Sequence, residues 1–298
     1  MNIVIGTRGS KLALAQAEWV AHRLRGIGVE LSLRVIRTTG DRQASAPSDI
    51  GPGVFVKEIE QALLSGEVSL AVHSLKDLPT GPRQGLWLAA VPEREDPSDA
   101  LVMMSGSGLS DLAIGARVGT GSPRRAAQLR AHRQDLELVP VRGNVDTRLG
   151  KLERGDFDAL VVASAGLIRL GMADRITQRL PSEICLPAPG QGALALQVRQ
   201  DDERTRAFVS RLDHGPSRAA AAAERAFLEQ LGGGCTIPVG ALGRVDGDRL
   251  VLEGVVAGTD GGELLRDTAT GPAAAPEGVG AALAERLLAA GARSMLQV

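Results

Sequence analysis

Apolar residues recur along the first 72 positions with two periods, one typical of strands and one typical of amphipathic helices. Residues 3–5 predict a short buried strand, and Ser10 stands at an N-cap position before the helical spacing of residues 12–24. Further predicted elements are a half-buried strand at 29–35, a helix at 55–64 after a Gly/Pro/Ser-rich loop at 44–53, and a buried strand at 69–72. This alternation of strands and helices predicts an α/β layer structure.

The same alternation starts again after a charged, proline-bracketed segment at residues 92–97. This second part contains predicted strands at 101–104, 117–119, 136–141 and 157–163, with helices at about 123–133 and 145–154 between them. Another proline-rich passage, residues 181–189, precedes an apolar strand at 193–198. Two crossings between the same pair of α/β units predict a cleft that closes on hinges.

The last part of the chain has a different pattern. An Ala-rich helix is predicted at 216–231, hairpin strands at 250–257 and 263–268, and a final helix at 277–297, which together form a small α+β domain. We therefore expect domain 1 at residues 1–94 and 193–213, domain 2 at 98–188 and domain 3 at 216–298.

Composition excludes several classes of protein. The 298 residues carry 34 basic and 35 acidic side chains, and only six aromatic residues, none of them Tyr. Nucleic-acid binders are usually basic, and single-strand binders stack bases on aromatic rings, so we expect neither. No apolar run reaches the ~20 residues of a membrane span, and the first residues lack the pattern of a signal peptide, so we expect a cytoplasmic protein. Cys185 and Cys235 are too few for a disulfide framework or a zinc site, and no metal is expected.

The strongest candidate site in the sequence is the segment 119–125, Gly-Thr-Gly-Ser-Pro-Arg-Arg. A strand ends here, Ser122 can cap the following helix, and Pro123 suits its first position. Free N–H groups at a helix start attract anions, whereas Arg124 and Arg125 oppose the helix dipole unless an anion offsets them. We favour an anion-binding site over the alternative of a capped helix with solvent-facing arginines.

Other arginines stand in comparable places after predicted strands. They are Arg8, Arg142, Arg148 and Arg169. Ligands of open α/β sheets collect at the carboxyl ends of the strands, and guanidinium groups bind carboxylates and phosphates in a bidentate manner. A ligand with several carboxylates or phosphates is therefore expected.

The segment His73 to Pro79 closes the strand at 69–72. Asp77 can be a simple turn residue, but its place at a strand end beside Lys76 also suits a carboxylate that stabilises a cation or moves protons. His73 is expected to be a packing residue, because no second His or Cys lies at ligand spacing.

Cys235 follows three glycines in the loop 232–240. Lone cysteines are usually buried, and the alternative here is an exposed thiol that serves as a covalent attachment point. The composition of the loop does not decide between these two. For Cys185 we expect buried packing.

Taken together, these segments closely resemble the porphobilinogen deaminase family over nearly the whole chain. The motifs that carry the resemblance are Thr7 to Ser10, His73 to Pro79, Gly119 to Arg125, Arg142 to Arg148, Leu186 to Gly192 and Gly232 to Gly240. Each motif is weak alone, whereas their order and spacing together are highly specific.

The resemblance implies two hinged α/β domains with mixed sheets, like those of periplasmic binding proteins, plus a small α+β domain. It implies a monomer with a dipyrromethane cofactor joined by a thioether to Cys235. On this primer the family joins four porphobilinogens head-to-tail, with loss of ammonia each time, and hydrolysis frees 1-hydroxymethylbilane.

The resemblance also implies residue roles. Asp77 matches the catalytic aspartate, which stabilises the cation formed on loss of ammonia. Positions that bind the cofactor are matched by Ser74, Lys76, Asp77, Thr120, Ser122, Arg124, Arg125 and Arg148. Positions that bind the incoming or growing chain are matched by Arg8, Ser10, Arg142, Arg148 and Arg169.

One departure concerns the loop before the predicted helix at 55–64. Many family members carry a lysine where this chain has Gly51-Pro52-Gly53, so gating of the site can differ. Three alternatives to catalysis remain open at this point. A hinged anion-binding protein would normally carry an export signal and no Cys domain, and a transcriptional regulator would need a helix-turn-helix segment. The third is a deaminase-derived binding protein that no longer turns over.

Overall fold

The computed structural model describes residues 2–39, 53, 56–81, 83–233, 237–258 and 262–296. The chain divides into two compact units, one made of residues 1–95 and 193–218 and the other of residues 96–192 and 219–298. No helix in the described part of the chain is both long enough and apolar enough to cross a membrane.

The first unit contains a five-stranded mixed sheet in the order β2-β1-β3-β10-β4. Its strands are β1 (Asn2–Thr7), β2 (Glu30–Val35), β3 (Leu70–Ser74), β4 (Leu86–Ala90) and β10 (Leu194–Arg199). Its helices are α1 (Lys11–Arg25), α2 (Lys57–Leu64) and α6 (Glu203–Val209). Apolar residues of α1 pack on one face of the sheet, and those of α2 pack on the other, as a doubly covered sheet requires.

The second unit contains another five-stranded mixed sheet, in the order β7-β6-β8-β5-β9. Its strands are β5 (Asp99–Met103), β6 (Arg117–Gly119), β7 (Glu137–Val139), β8 (Ala159–Ala163) and β9 (Gln178–Leu180). Its helices are α3 (Pro123–His132), α4 (Val145–Glu153) and α5 (Ser164–Arg169). The α/β class with mixed sheets is therefore confirmed.

The fourth strand of each five-stranded sheet runs antiparallel and comes from chain that has just left the other unit. In the first sheet this strand is β10, which pairs with β3 and β4. In the second sheet it is β5, which pairs with β8 and β9. In the first sheet this inner strand is remote in sequence from the other four, since β10 begins more than a hundred residues after β4 ends.

The second unit also holds a three-stranded antiparallel sheet in the order β11-β12-β13. Its elements are α7 (Gly215–Gln230), β11 (Val239–Asp246), β12 (Arg249–Ala257), β13 (Leu264–Pro272), α8 (Pro276–Leu287) and α9 (Arg293–Leu296). Phe227 of α7 and Leu283 of α8 are fully buried against this sheet.

Several predicted bounds differ from the structure. Strand β11 is missing from the prediction because the glycines around it mask its pattern, and the short elements β4, β9, α5 and α6 were not predicted either. The predicted helix at 277–297 is present but not continuous, since residues 288–292 form a π turn in which Gly291 has φ 108°. Glycine adopts such a left-handed conformation without steric cost, and the helix kinks there.

Candidate functional site

The first group of predicted site residues lies at the carboxyl ends of β1 and β3. These two strands are parallel neighbours, so their ends share one edge of the sheet. Arg8 follows β1, and Ser10 caps α1 by accepting a hydrogen bond from Ala13 N. The predicted cap is confirmed.

Ser74, Lys76 and Asp77 lie at the end of β3, the last two in a 3-10 turn. Gln16 of α1 donates from Nε2 to Ser74 Oγ at 3.1 Å, which ties the start of the chain to this turn. The Asp77 side chain is half-buried. Among the described residues its carboxylate forms no hydrogen bond or ion pair, so it is the one predicted acidic group that remains available to a ligand.

The second group lies in the second unit, at the carboxyl ends of the parallel strands β6, β7 and β8. Thr120 N donates to Val139 O and Val141 N donates to Thr120 O, so the segments that follow β6 and β7 run side by side. A Cβ on Gly121 would lie only 2.4 Å from Val141 O, which explains the glycine at this position.

The start of α3 has the predicted geometry. Ser122 Oγ accepts a hydrogen bond from Arg125 N, and Pro123 occupies the first turn. Ser122 N in turn donates to Thr120 Oγ1 at 3.3 Å. The predicted N-cap and N1 proline are both confirmed.

Arg124 and Arg125 are buried, with 3% and 5% of their surfaces exposed, so they do not face solvent. Both pair with Asp99 of β5: Arg124 Nη1 lies 2.7 Å from Oδ2, and Arg125 Nε donates to Oδ1 at 2.8 Å. The anion that offsets the unfavourable interaction of these arginines with the helix dipole is thus the Asp99 carboxylate of the chain itself. Two positive charges meet one negative charge, so the cluster keeps a net positive charge.

Burial alone would raise the pKa of the fully buried Asp99 carboxyl, but the charges and hydrogen bonds of Arg124 and Arg125 outweigh it. The pKa of Asp99 therefore lies well below its ordinary value. Arg124 Nε is buried without a hydrogen-bond partner in the described part of the chain. This orphaned donor and the surplus charge fit an anionic group at the start of α3.

The remaining arginines occupy the same strand ends. Arg142 follows β7, Arg148 Nε donates to Gly143 O at 2.8 Å, and Arg169 Nη2 donates to Gly192 O at 2.8 Å. The structure thus brings the predicted residues of the second unit to one edge of its sheet. Cys235, the predicted attachment point, lies outside the described residues. So do Gly51 and Pro52, in the loop where this chain differs from many family members.

Sequence reasoning missed Asp99 and Gln191. Gln191 Nε2 donates to Asp99 Oδ1 at 2.8 Å and to Pro97 O at 2.8 Å, which holds the carboxylate in place. A signal for Asp99 was present, because an acidic residue that opens a wholly apolar strand needs a buried cationic partner.

Cys185 lies in the core of the second sheet, which confirms the expected buried packing. Burial raises the pKa of its thiol to about 12, so it stays protonated and donates to Asp99 Oδ2 at 3.2 Å. No group of His, Cys, Asp and Glu able to hold a metal occurs among the described residues.

His73 is buried in β3, on the face covered by α2. Burial lowers the pKa of its imidazole to about 4, and the nearby Gln197 side chain opposes this shift only in part. Gln197 Nε2 donates to Glu60 Oε1 at 3.3 Å, and Glu60 pairs with Arg83. His73 is therefore the neutral packing residue predicted, although its Nε2 has no hydrogen-bond partner in the described chain.

This burial predicts a loss of stability on mild acidification. The unfolded chain binds a proton at His73 below its ordinary pKa of 6.5, while the folded chain resists protonation down to about pH 4. Stability from this residue is therefore complete above pH 6.5 and falls by about 3 kcal/mol as the pH drops through that window. Urea unfolding at pH 7, 6 and 5 should show this fall in the wild type and a shallower one in His73→Gln. Parallel curves for the two proteins would contradict the lowered pKa.

The structure thus defines the class as a mixed α/β protein, with basic and hydroxyl side chains at the carboxyl edges of its two five-stranded sheets. A family model described as "Porphobilinogen deaminase, dipyromethane cofactor binding domain" matches residues 3–207, and "Porphobilinogen deaminase, C-terminal domain" matches residues 219–289. The chain belongs to the porphobilinogen deaminase family. Membership makes it a transferase of tetrapyrrole synthesis with a dipyrromethane cofactor.

Curated relatives agree with this family. The chain is 53% identical to the porphobilinogen deaminase of Desulforudis audaxviator, over 99% of this chain and 97% of that protein. It is 51% identical to that of Pelotomaculum thermopropionicum, over 99% of this chain and 96% of that protein. Among solved structures, an ABC transporter periplasmic substrate-binding protein from Coxiella burnetii has a TM-score of 0.44 at 16% identity, covering 75% of this chain and 96% of that one.

Proposed function

We propose that the chain joins four porphobilinogen molecules head-to-tail on a dipyrromethane primer held by Cys235, and releases 1-hydroxymethylbilane after hydrolysis. The observation that carries this proposal is the half-buried Asp77 carboxylate, which forms no contact with a cation or donor among the described residues. A carboxylate left without a protein partner at a strand end is available to a cationic substrate group.

Asp77 is the proposed catalytic residue. Its negative charge stabilises the cation that forms on a porphobilinogen unit as ammonia leaves, and its oxygens accept and return a proton during ring coupling. Both tasks require an ionised carboxylate that faces the reacting rings.

The other predicted residues bind carboxylate groups of the cofactor and substrate. We assign the cofactor to Ser74, Lys76, Thr120, Ser122, Arg124, Arg125 and Arg148. We assign the incoming or growing chain to Arg8, Ser10, Arg142, Arg148 and Arg169. The surplus positive charge at Arg124 and Arg125, and the orphaned Arg124 Nε, support the cofactor assignment. When bound, the cofactor supplies the pyrrole end to which new units are joined.

We also propose that residues 98–188 and 216–298 form two separate domains, because each of them has its own sheet and its own buried core. Residues 1–94 and 193–213 form the remaining domain. We further propose a cytoplasmic enzyme without a membrane partner, and the near-neutral net charge of −1 supports the absence of a nucleic-acid partner.

Intact mass tests the primer and its attachment. The purified wild-type protein should exceed its sequence mass by two linked pyrrole units, and Cys235→Ser should show no excess, because only a thiolate can form the thioether. Native spectra of the same sample should show a single copy of the 31.0 kDa chain if it acts as a monomer.

Cys185→Ser is the matched control, and it should keep the full mass excess because its thiol is buried and protonated. Wild-type protein that shows no excess and gains none with porphobilinogen would overturn the proposal and leave an anion-binding protein as the better account.

A further inference from the structure

Residues 185–192, a passage between β9 and β10, are buried although they form no helix or strand. From Cys185 to Gly192 only Ala188 is partly exposed. Backbone groups buried outside regular structure need specific partners, so their hydrogen bonds show what such a passage holds together.

One side of this passage is bonded to the arginine cluster. Arg124 Nη1 donates to Leu186 O at 2.6 Å, and Leu186 N donates to Gln128 Oε1 at 2.8 Å. Farther along, Gln191 donates to Asp99. The passage is therefore fixed to α3 and β5, which carry the positive cluster.

The other side of the passage forms hydrogen bonds with α7 and β11. These two elements flank residues 231–238, the loop that contains Cys235. Glu224 of α7, fully buried, accepts from Gly190 N at 2.6 Å through Oε2. Its Oε1 accepts from Gly243 N of β11 at 2.8 Å. Ala241 N of β11 donates to Pro187 O at 2.9 Å.

The contact between β11 and the passage is close. A Cβ on Gly240 would lie 2.7 Å from Leu186 O, so only glycine permits this approach. Gly190 has φ 74°, a left-handed conformation that presents its N–H to Glu224. Glu224 thus joins α7, β11 and the passage through its two carboxylate oxygens.

We infer that Glu224 is a positioning residue for the primer: it fixes both flanks of the Cys235 loop to the passage 185–192, and through it to the arginine cluster. This inference rests on the proposed attachment at Cys235. A ligand joined to the chain at one point and bound through its carboxylates at another needs a constant separation between the two points. The first assembly of the primer on the apoprotein depends most on that separation, because no thioether yet holds the primer.

Glu224→Gln tests the inference in the full chain. An amide has one acceptor oxygen, so its NH₂ group faces one of the two backbone N–H donors and that bond is lost. Apoprotein with this substitution should load porphobilinogen more slowly than the wild type, on the order of 10- to 100-fold, as measured by intact mass against time. Turnover per loaded chain should stay within a few-fold of the wild type, since the thioether then holds the primer; a purely structural role would not separate these two rates.

Phe227→Leu is the matched control. Phe227 lies on the same helix and packs in the core of the three-stranded sheet, so its replacement weakens that sheet and leaves the Glu224 carboxylate in place. If this variant loads as slowly as Glu224→Gln at an equal loss of stability, lost stability explains the effect and the inference is overturned.

The remaining outcomes are also decisive. A wild-type apoprotein that gains no mass overturns the proposed function, and this inference with it. Loading by the wild type and by Glu224→Gln at the same rate overturns the inference alone. Where Glu224→Gln fails to fold, Glu224→Asp keeps the charge but is one methylene too short to reach both N–H groups; it should load slowly, and an unchanged rate overturns the inference.

Discussion

Replacing Asp77 with asparagine should reduce turnover by more than about 10³-fold, since the change removes both charge stabilisation and proton transfer at one position. Asparagine has nearly the same size as aspartate, and the wild-type carboxylate holds no described residue in place. The fold should therefore survive. The measurement is steady-state formation of hydroxymethylbilane per loaded chain, with the melting temperature recorded beside it.

Asp201→Asn is a suitable control for Asp77→Asn. Asp201 lies in the same unit just after β10, with 84% of its side chain exposed, and should keep turnover near the wild-type value. Intact mass must show that the Asp77→Asn preparation carries its primer, so that lost turnover reports on chemistry. Turnover within tenfold of the wild type would remove Asp77 from the catalytic role.

Asp99→Asn should destabilise the protein by about 3–5 kcal/mol, the range found when one partner of a buried ion pair is removed. The substitution leaves Arg124 and Arg125 buried with two positive charges and no carboxylate between them. Because a single domain is stabilised by only about 5–15 kcal/mol, this loss removes a large share of its stability. Urea unfolding measures the loss.

A double variant separates charge from packing at this cluster. Asp99→Asn combined with Arg124→Gln removes one buried cation together with the acid and should recover part of the lost stability. Asp213→Asn, which breaks the partly exposed pair with Arg218, should cost much less. An equal loss in Asp99→Asn and Asp213→Asn would show that burial of the first pair has no special effect.

The acid sensitivity of Asp99 lies in a different window from that of His73. The folded-state pKa of Asp99 is lowered, so its contribution is complete above its ordinary pKa of 3.8 and is lost only as the pH falls below that value. Of these two groups, only the imidazole contributes to a loss between pH 6.5 and 4, and the carboxylate contributes below pH 3.8.

Sequence reasoning predicted the local features of the site well. The Ser10 and Ser122 caps and Pro123 at the start of α3 depend on neighbouring residues, so their pattern is visible in the sequence. The positions after β1, β3, β6 and β7 also follow from local periodicity, which places chemically active side chains at strand ends.

The partners of these residues could not be predicted in the same way. Asp99 lies 25 residues from Arg124 in sequence, and Cys185 lies 61 residues from it. Such contacts depend on the order of the strands in each sheet. The sequence does not reveal this order for β5, which begins just after the chain has crossed from the first unit. Without the strand order, Arg124 and Arg125 could be identified only as charges that need an anion.

The late position of β10 in the sequence has a consequence for synthesis on the ribosome. Until residue 199 has left the exit tunnel, β3 and β4 have no partner between them, although both were made about a hundred residues earlier. The second five-stranded sheet needs nothing beyond residue 180, so its strands are complete first. We therefore expect the nascent chain to order the arginine-bearing sheet while the sheet that carries Asp77 still lacks β10, which leaves the facing edges of β3 and β4 open for chaperones to protect.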